Sequence, residues 1–461
     1  MKPTAILAEN EIGSERPTPL HLIAEAEHEA FAATQPDGVR ALLRANGFKG
    51  EKGRLVFFER DGAAEAALGV GDGTDPLICG AAAAVAPAGL YQIAGELSSG
   101  DGAKAALGWG LGAYRFTAYK SSAKDAPRLV APGSVDIEAI RRHIGAAILT
   151  RDLVNTPANH MGPQDLANAA EDLAKRHGAT FDVIVGDDLL AQNFPMVHAV
   201  GRASVTPPRL IDMVWGTPSA PKVTLVGKGV CFDSGGLNIK PGSAMALMKK
   251  DMGGAANVLG LAHMIMDAAL PVRLRVLIPA VENAISGDAF RPGDILNSRK
   301  GITVEIGNTD AEGRLILADA LTYACEEAPE LLVDMATLTG AARVALGPDM
   351  APFYTDDETL AAQIAAAAEP TADPVWRMPL WQGYESWLDS KAADCCHISD
   401  GPLAGSVTAA LFLKKFVTAQ TPWAHFDIYA WTPRAKPGRP VGGEMQGPRA
   451  LFEVLKTRYG G

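Results

Sequence analysis

Asp310, Glu312 and Arg314 stand at alternate positions in "NTDAEGRL", residues 308–315, with Ala311 and Gly313 between them. Two carboxylates this close repel, and each tends to take up a proton unless a cation intervenes. A divalent ion is the simplest such cation. A solvated turn with surface ion pairs is the bland alternative, and the octapeptide alone leaves the two about even. A second stretch, "VGKGVCFDSGGLNIKPGSAMALMKKDMGG", carries Lys228, Asp233, Lys240 and Asp251 on glycine-rich backbone. Asp233 and Asp251 offer the hard oxygen ligands that a two-ion site needs. Lys228 would bind metal only as the neutral amine, which desolvation near cations can produce. Lysines beside acidic residues are more often surface ion pairs.

The elements that must position these groups read as alternating strands and helices. Strand patterns are "FDVIVG", "LIDMVW", "KVTLVG", "LRVLIPAVE", "ITVEIG", "ELLVDMATL" and "WAHFDIYAW"; helical patterns include "DMGGAANVLGLAHMIMDAAL" and "GRLILADALTYACEEA". The alternation predicts an α/β catalytic domain whose mainly parallel central sheet is flanked by helices. Functional groups in such sheets collect at the carboxyl ends of strands. Ile302, Val304 and Ile306 alternate as in a strand. If the chain then stays extended, Asp310, Glu312 and Arg314 face the same way. Residues 1–132 predict a smaller N-terminal α/β domain. Residues 133–158 read as a connecting helix, with Ser134 as N-cap and Ile137, Ile140, Ile144 and Ile148 at helical spacing. The catalytic domain is placed at 159–461.

In this order, "VGKGVCFDSGG", "DMGGAA" and "NTDAEGRL" resemble the leucyl aminopeptidase family of cytosolic metallopeptidases, and "RDLVNTPANHMGP", "VDMATLTGA" and "WAHFDI" continue the match. The resemblance covers roughly residues 140–450. It implies hydrolysis of the N-terminal residue, leucine-like and apolar by preference, from peptides with a free N-terminus. Lys228, Asp233, Asp251, Asp310 and Glu312 are implied as ligands of two divalent ions (zinc, with manganese or magnesium exchanging), Asp233 and Glu312 bridging them. Lys240 and Arg314 are implied as the catalytic side chains. Asp251 would also assist the substrate amine. Arg314 and the backbone of Leu338 would hold a bicarbonate that shuttles a proton. Met248, Thr337 and Gly340 would surround the pocket for the first side chain, and a homohexamer is the implied assembly. Two features depart from the family: Tyr429-Ala430-Trp431 stands where Ala-Gly is common, and "DCCHIS" replaces a polar stretch and leaves Cys395 and Cys396 without a role.

Composition bounds the rest. The chain has 461 residues, 48% apolar and 21% charged, with a net charge of −11. That acidic balance argues against nucleic acid and anionic membrane as general partners, and no apolar run is long enough to span a bilayer. The first residues turn acidic before any apolar segment, unlike a secretory signal, and five scattered cysteines suggest no disulfide framework. The expectation is a soluble cytoplasmic protein. Ser234 in "FDSGG" is set aside as a nucleophile, because serine protease chemistry needs a different scaffold and a His–Asp pair. His21 and His28 are read on a solvated helix face, and His425 and Cys325 as packing. "VGKG" lacks most of a phosphate loop. Two other functions stand beside the peptidase reading: a two-metal phosphohydrolase and a DNA-binding regulator, the latter disfavoured by charge.

Overall fold

The computed structural model describes residues 5–121, 125–133 and 135–460. The chain divides into two compact units, residues 1–148 with 432–441 and residues 149–431 with 442–461. The division falls inside the helix Ile137–Asn155, within the span read as a connecting helix. Ser134, its expected cap, lies outside the described residues.

The first unit contains strands β1 (Ile6–Leu7), β2 (Thr18–Ala24), β3 (Leu55–Arg60), β4 (Ala63–Gly71), β5 (Leu90–Ile93) and β6 (Arg128–Val130). They pair in the order β1–β6–β5–β2–β4–β3, in parallel except for the β3–β4 hairpin. In β3, Val56 and Phe58 are buried while Phe57 is exposed, the alternation of a strand with one covered face. The solvated helix expected for His21 and His28 is not found. His21 lies on β2, paired with Ala67, and its Nε2 is 2.7 Å from Glu65 Oε2. The helix begins only at His28. Pairing on both sides of β2 overrides the local helical propensity.

The second unit contains β7 (Thr180–Val185), β8 (Arg209–Trp215), β9 (Lys222–Gly227), β10 (Gly229–Asp233), β11 (Arg273–Asn283), β12 (Ile295–Asn297), β13 (Thr303–Glu305), β14 (Leu331–Ala336), β15 (Ala351–Tyr354), β16 (Val375–Arg377), β17 (Cys395–Cys396) and β18 (Trp423–Asp427). The main sheet runs β16–β15–β18–β14–β9–β11–β8–β7, with β10 continuing beside β11. Its centre, β18–β14–β9–β11, is parallel; β8 and β15 pair antiparallel with its two edges, and β7 pairs antiparallel with β8. Every residue of β14 is buried, as a strand covered on both faces requires. The helices Gly253–Asp267 and Gly313–Cys325 both pack on β9 and β14, and both are apolar almost all round. This is the α/β architecture that the alternation predicted. The strand expected over "ITVEIG" shrinks to β13, which leaves the main sheet and pairs instead with β12 and β17.

Candidate metal centre

The site grows from a break in one strand. β9 stops at Gly227, Lys228 intervenes, and β10 resumes alongside the far half of β11. At the break the Lys228 N–H donates to Met335 O of β14 at 3.0 Å. The Lys228 ammonium donates to Thr337 O at 3.0 Å and lies 2.8 Å from Asp251 Oδ2 and 3.1 Å from Glu312 Oε1. Its path runs against Gly313, where an added Cβ would sit 2.7 Å from Lys228 Nζ.

Asp233 ends β10. The left-handed Gly235 (φ +87°) then turns the chain, and Lys240 Nζ returns to within 2.8 Å of Asp233 Oδ2 and 2.5 Å of Asp310 Oδ1. Asp233 Oδ1 accepts N–H groups from Gly235 (2.8 Å) and from the Asn283 amide (2.9 Å).

"NTDAEGRL" is not extended, which corrects the expected common facing. Asn308 Oδ1 accepts the Asp310 N–H at 2.9 Å, Thr309–Ala311 form a tight turn, and Glu312 (φ −68°, ψ −35°) leads into the helix Gly313–Cys325. An asparagine cap initiates a helix where a bare alternation would have continued a strand. The turn sorts the three charges. Among the described residues, carboxylate oxygens of Asp233, Asp310 and Glu312 lie within 4.8 Å of one another. Arg314 instead donates from Nη1 to His397 O at 2.7 Å. Asp251 stands outside that trio, joined through Lys228 and through the Thr337 hydroxyl, which donates to its Oδ1 at 2.8 Å. Met248 begins the same short helix as Asp251; Gly340 opens the helix Gly340–Leu346, three residues after Thr337.

The electrostatics are those of an anionic knot. Burial, then Glu312 and Asp251, pushes the Asp233 carboxyl well above its ordinary range, and burial raises Glu312 against the pull of Lys228. Burial alone would lower Lys228 and Lys240, yet the surrounding carboxylates outweigh it and hold both above the ordinary lysine value. Four carboxylates thus face two ammoniums. Asp251 Oδ2 and Asp310 Oδ1 are buried and lie near lysine nitrogens, but neither accepts a well-aligned hydrogen bond. Oxygen donors in excess, with one amine, fit hard divalent cations. Burial brings Arg314 down to about 10, so it stays cationic at neutral pH, and its Nε is buried without a hydrogen-bond partner.

Several neighbours escaped the sequence reading. Asn283 links Asp233 to Thr309 O (3.0 Å). Asp427 accepts the Leu338 and Thr339 N–H groups (3.1 and 3.0 Å) and the Thr339 hydroxyl (2.6 Å). Each is the last residue of its strand, a weak signal but a real one. Ser234 is not free to attack, because its hydroxyl donates to Asn283 O at 2.6 Å. Cys395 and Cys396 are β17, paired with Val304 and Glu305. His425 Nδ1 lies 2.6 Å from Asp334 Oδ1 inside the core. Tyr429 lies beside two basic side chains: Lys250 Nζ, which burial brings down to about 7, is 5.1 Å from the ring centre, and Arg343 Cζ is 4.8 Å away.

Carboxylates gathered with a lysine where β9 and β10 end have the donor set of a metal-dependent hydrolase. The profile described as "Cytosol aminopeptidase family, catalytic domain" matches residues 148–451, and "M17 aminopeptidase, N-terminal domain" matches residues 18–132. The probable cytosol aminopeptidase of Agrobacterium fabrum is 43% identical over 384 residues, 79% of this chain and 76% of that one. The crystal structure of cytosol aminopeptidase from Coxiella burnetii superposes with a TM-score of 0.93 at 45% identity, covering 99% of each chain. The bottromycin maturation enzyme BotP in complex with Mn gives 0.85 at 33% identity, over 96% of this chain and 99% of its own. The chain belongs to the cytosol aminopeptidase family, and so to the metal-dependent aminopeptidases that act on peptides. No helix of the described residues is long and apolar enough to cross a membrane.

Proposed function

We propose that the chain removes the N-terminal residue from peptides with two divalent ions, zinc or manganese with magnesium as an alternative, held by Lys228, Asp233, Asp251, Asp310 and Glu312. Asp233 and Glu312 would be the ligands shared between the two. The observation that carries this reading is the meeting of Asp233, Asp310 and Glu312 within ligand distance, with Asp251 held beside them by Lys228; the manganese in BotP supports it. When bound, the ions polarise the scissile carbonyl and lower the pKa of water from ~15.7 towards ~7.

The side chains of this protein do the rest. Asp251, fixed by Thr337, receives the free α-amine and so demands an unblocked N-terminus. Lys240 faces the scissile carbonyl oxygen and stabilises the charge that develops there. Arg314, cationic and with Nε unpaired, would hold bicarbonate as a proton carrier. The Leu338 N–H is committed to Asp427, so the carbonyl is the backbone group Leu338 can offer. The first side chain of the substrate lies beside Met248, Thr337 and Gly340, where leucine-like residues fit and one methylene changes binding by only ~1–3 kcal/mol. The active form is a cytoplasmic homohexamer, built from an N-terminal domain (1–132), a connecting helix (133–158) and a catalytic domain (159–461).

Hydrolysis of aminoacyl amides before and after thorough chelation, with zinc, manganese and magnesium restored singly, tests the proposal. Activity should vanish and return with metal; turnover indifferent to chelation would refute it. Lys240→Ala should keep metal and lose most turnover, whereas Asp233→Ala should lose the metal too, both read by elemental analysis.

A further inference from the structure

His397 grips "NTDAEGRL" at both ends. It follows β17 and is fully buried, its ring edge-on to Phe412 with centroids 6.4 Å apart. The imidazole Nε2 is 2.9 Å from Asn308 O, and the Gly307 N–H donates to Nδ1 at 3.3 Å. The His397 carbonyl accepts Arg314 Nη1 at 2.7 Å. Burial, then Arg314, brings the ring down to about 3, so at neutral pH it carries a single N–H. Its partners decide which nitrogen bears that proton. Glu305 O, 3.1 Å from Nδ1, already accepts the His397 backbone N–H at 3.2 Å, whereas the Gly307 N–H needs a lone pair. Nδ1 is therefore bare, and Nε2 donates to Asn308 O.

Asn308 caps the turn that carries Asp310 and Glu312. That turn has other anchors: Thr309 bonds to Asn238 Oδ1 (2.9 Å), to Gly235 O (2.6 Å) and to the Asn283 amide (3.0 Å). The Arg314 side chain has fewer. Among the described residues its hydrogen-bond partner is His397 O alone, on a strand that pairs with β13 over just two residue pairs. The imidazole is thus the side-chain tie between a firmly held turn and the carbonyl that holds the guanidinium. We propose that His397 is a positioning residue for hydrolysis: it fixes Arg314 relative to Asp310 and Glu312, and acts on the reaction through that guanidinium. The inference rests on the aminopeptidase reading above, in which Arg314 holds the proton carrier. A guanidinium displaced by about 1 Å costs rate on the order of 100-fold. Asp251 and Thr337, which meet the substrate amine and first side chain, have no bond to His397, so the loss falls on kcat and spares KM.

The test uses the full chain loaded with manganese, with leucyl amide as substrate. His397→Phe keeps a ring against Phe412 and loses both nitrogens; His397→Gln keeps one donor and one acceptor on a flexible stem. His397→Phe should lower kcat on the order of 100-fold and His397→Gln about tenfold, with KM within about twofold. Manganese content, read by elemental analysis, should stay at the wild-type value in both. The decisive arm repeats the substitutions in Arg314→Met, itself slow. There neither should lower kcat by more than about twofold, since residues that act as a unit are not additive. If His397→Phe does not fold, His397→Gln carries the comparison. A kcat loss below about twofold in the folded variants, a loss as large without Arg314 as with it, or loss of manganese would each overturn the assignment and leave the aminopeptidase standing. A metal-loaded wild type that hydrolyses no amide would remove the aminopeptidase reading and the assignment with it.

Discussion

Gly313 decides whether Lys228 can reach the carboxylates. Any side chain there meets the lysine, the nearest approach being 2.4 Å to Cε. Gly313→Ala should therefore displace the amine, weakening manganese affinity and kcat/KM each by about 10–100-fold while circular dichroism stays unchanged. Asp427 acts at one remove. It holds the Leu338 and Thr339 N–H groups, and replacing it by Asn turns an acceptor partly into a donor facing donors. Asp427→Asn should lower kcat by up to about 100-fold with metal content intact, measured by steady-state kinetics beside elemental analysis. The charged residues of the centre were legible because carboxylates and lysines crowd two glycine-rich stretches. Asn283 and Asp427 were not, because each closes a strand that carries other polar residues and no spacing sets it apart. Only their contacts, 50 and 89 residues away along the chain, reveal what they do.

At the scale of elements, period-two alternation in "ITVEIGNTDAEGRL" suggested a longer strand than the chain forms. The Asn308 cap and the buried face of the following helix prevail over it. β9 ends at Gly227, where the strand pattern "KVTLVG" ends, but the strand β10 that follows Lys228 was not read from the sequence. The same helix carries Asp319, buried and accepting N–H groups from Met196 (2.8 Å), Val197 (3.4 Å) and Arg299 (2.8 Å). Burial, against those three donors, pushes its carboxyl from the ordinary 3.8 up to about 7. The folded chain keeps a proton that the unfolded chain releases. This contribution to stability is complete below about pH 4 and is lost as pH rises through about 7, at no more than ~1.4 kcal/mol per pH unit. Denaturation midpoints at about pH 5 and about pH 8 should fall in that order for the wild type. The difference should shrink in Asp319→Asn.

For the whole molecule, the α/β class was readable from alternating periods alone, and the family from three motifs in order. Where one compact unit gives way to the other was less visible, because the division falls within a continuous helix and residues 432–441 return to the first unit. The pattern of a helix carries no mark of which unit each turn packs against. Assembly is tested separately: light scattering should give about six times the chain mass of 48.3 kDa, and a stable monomer would remove the hexamer without touching the site. The centre itself is tested most directly by anomalous diffraction from crystals grown with manganese. The predicted result is two manganese peaks in each chain, both in contact with Asp233 and Glu312. Maps with no metal between those two side chains, at saturating manganese, would contradict it.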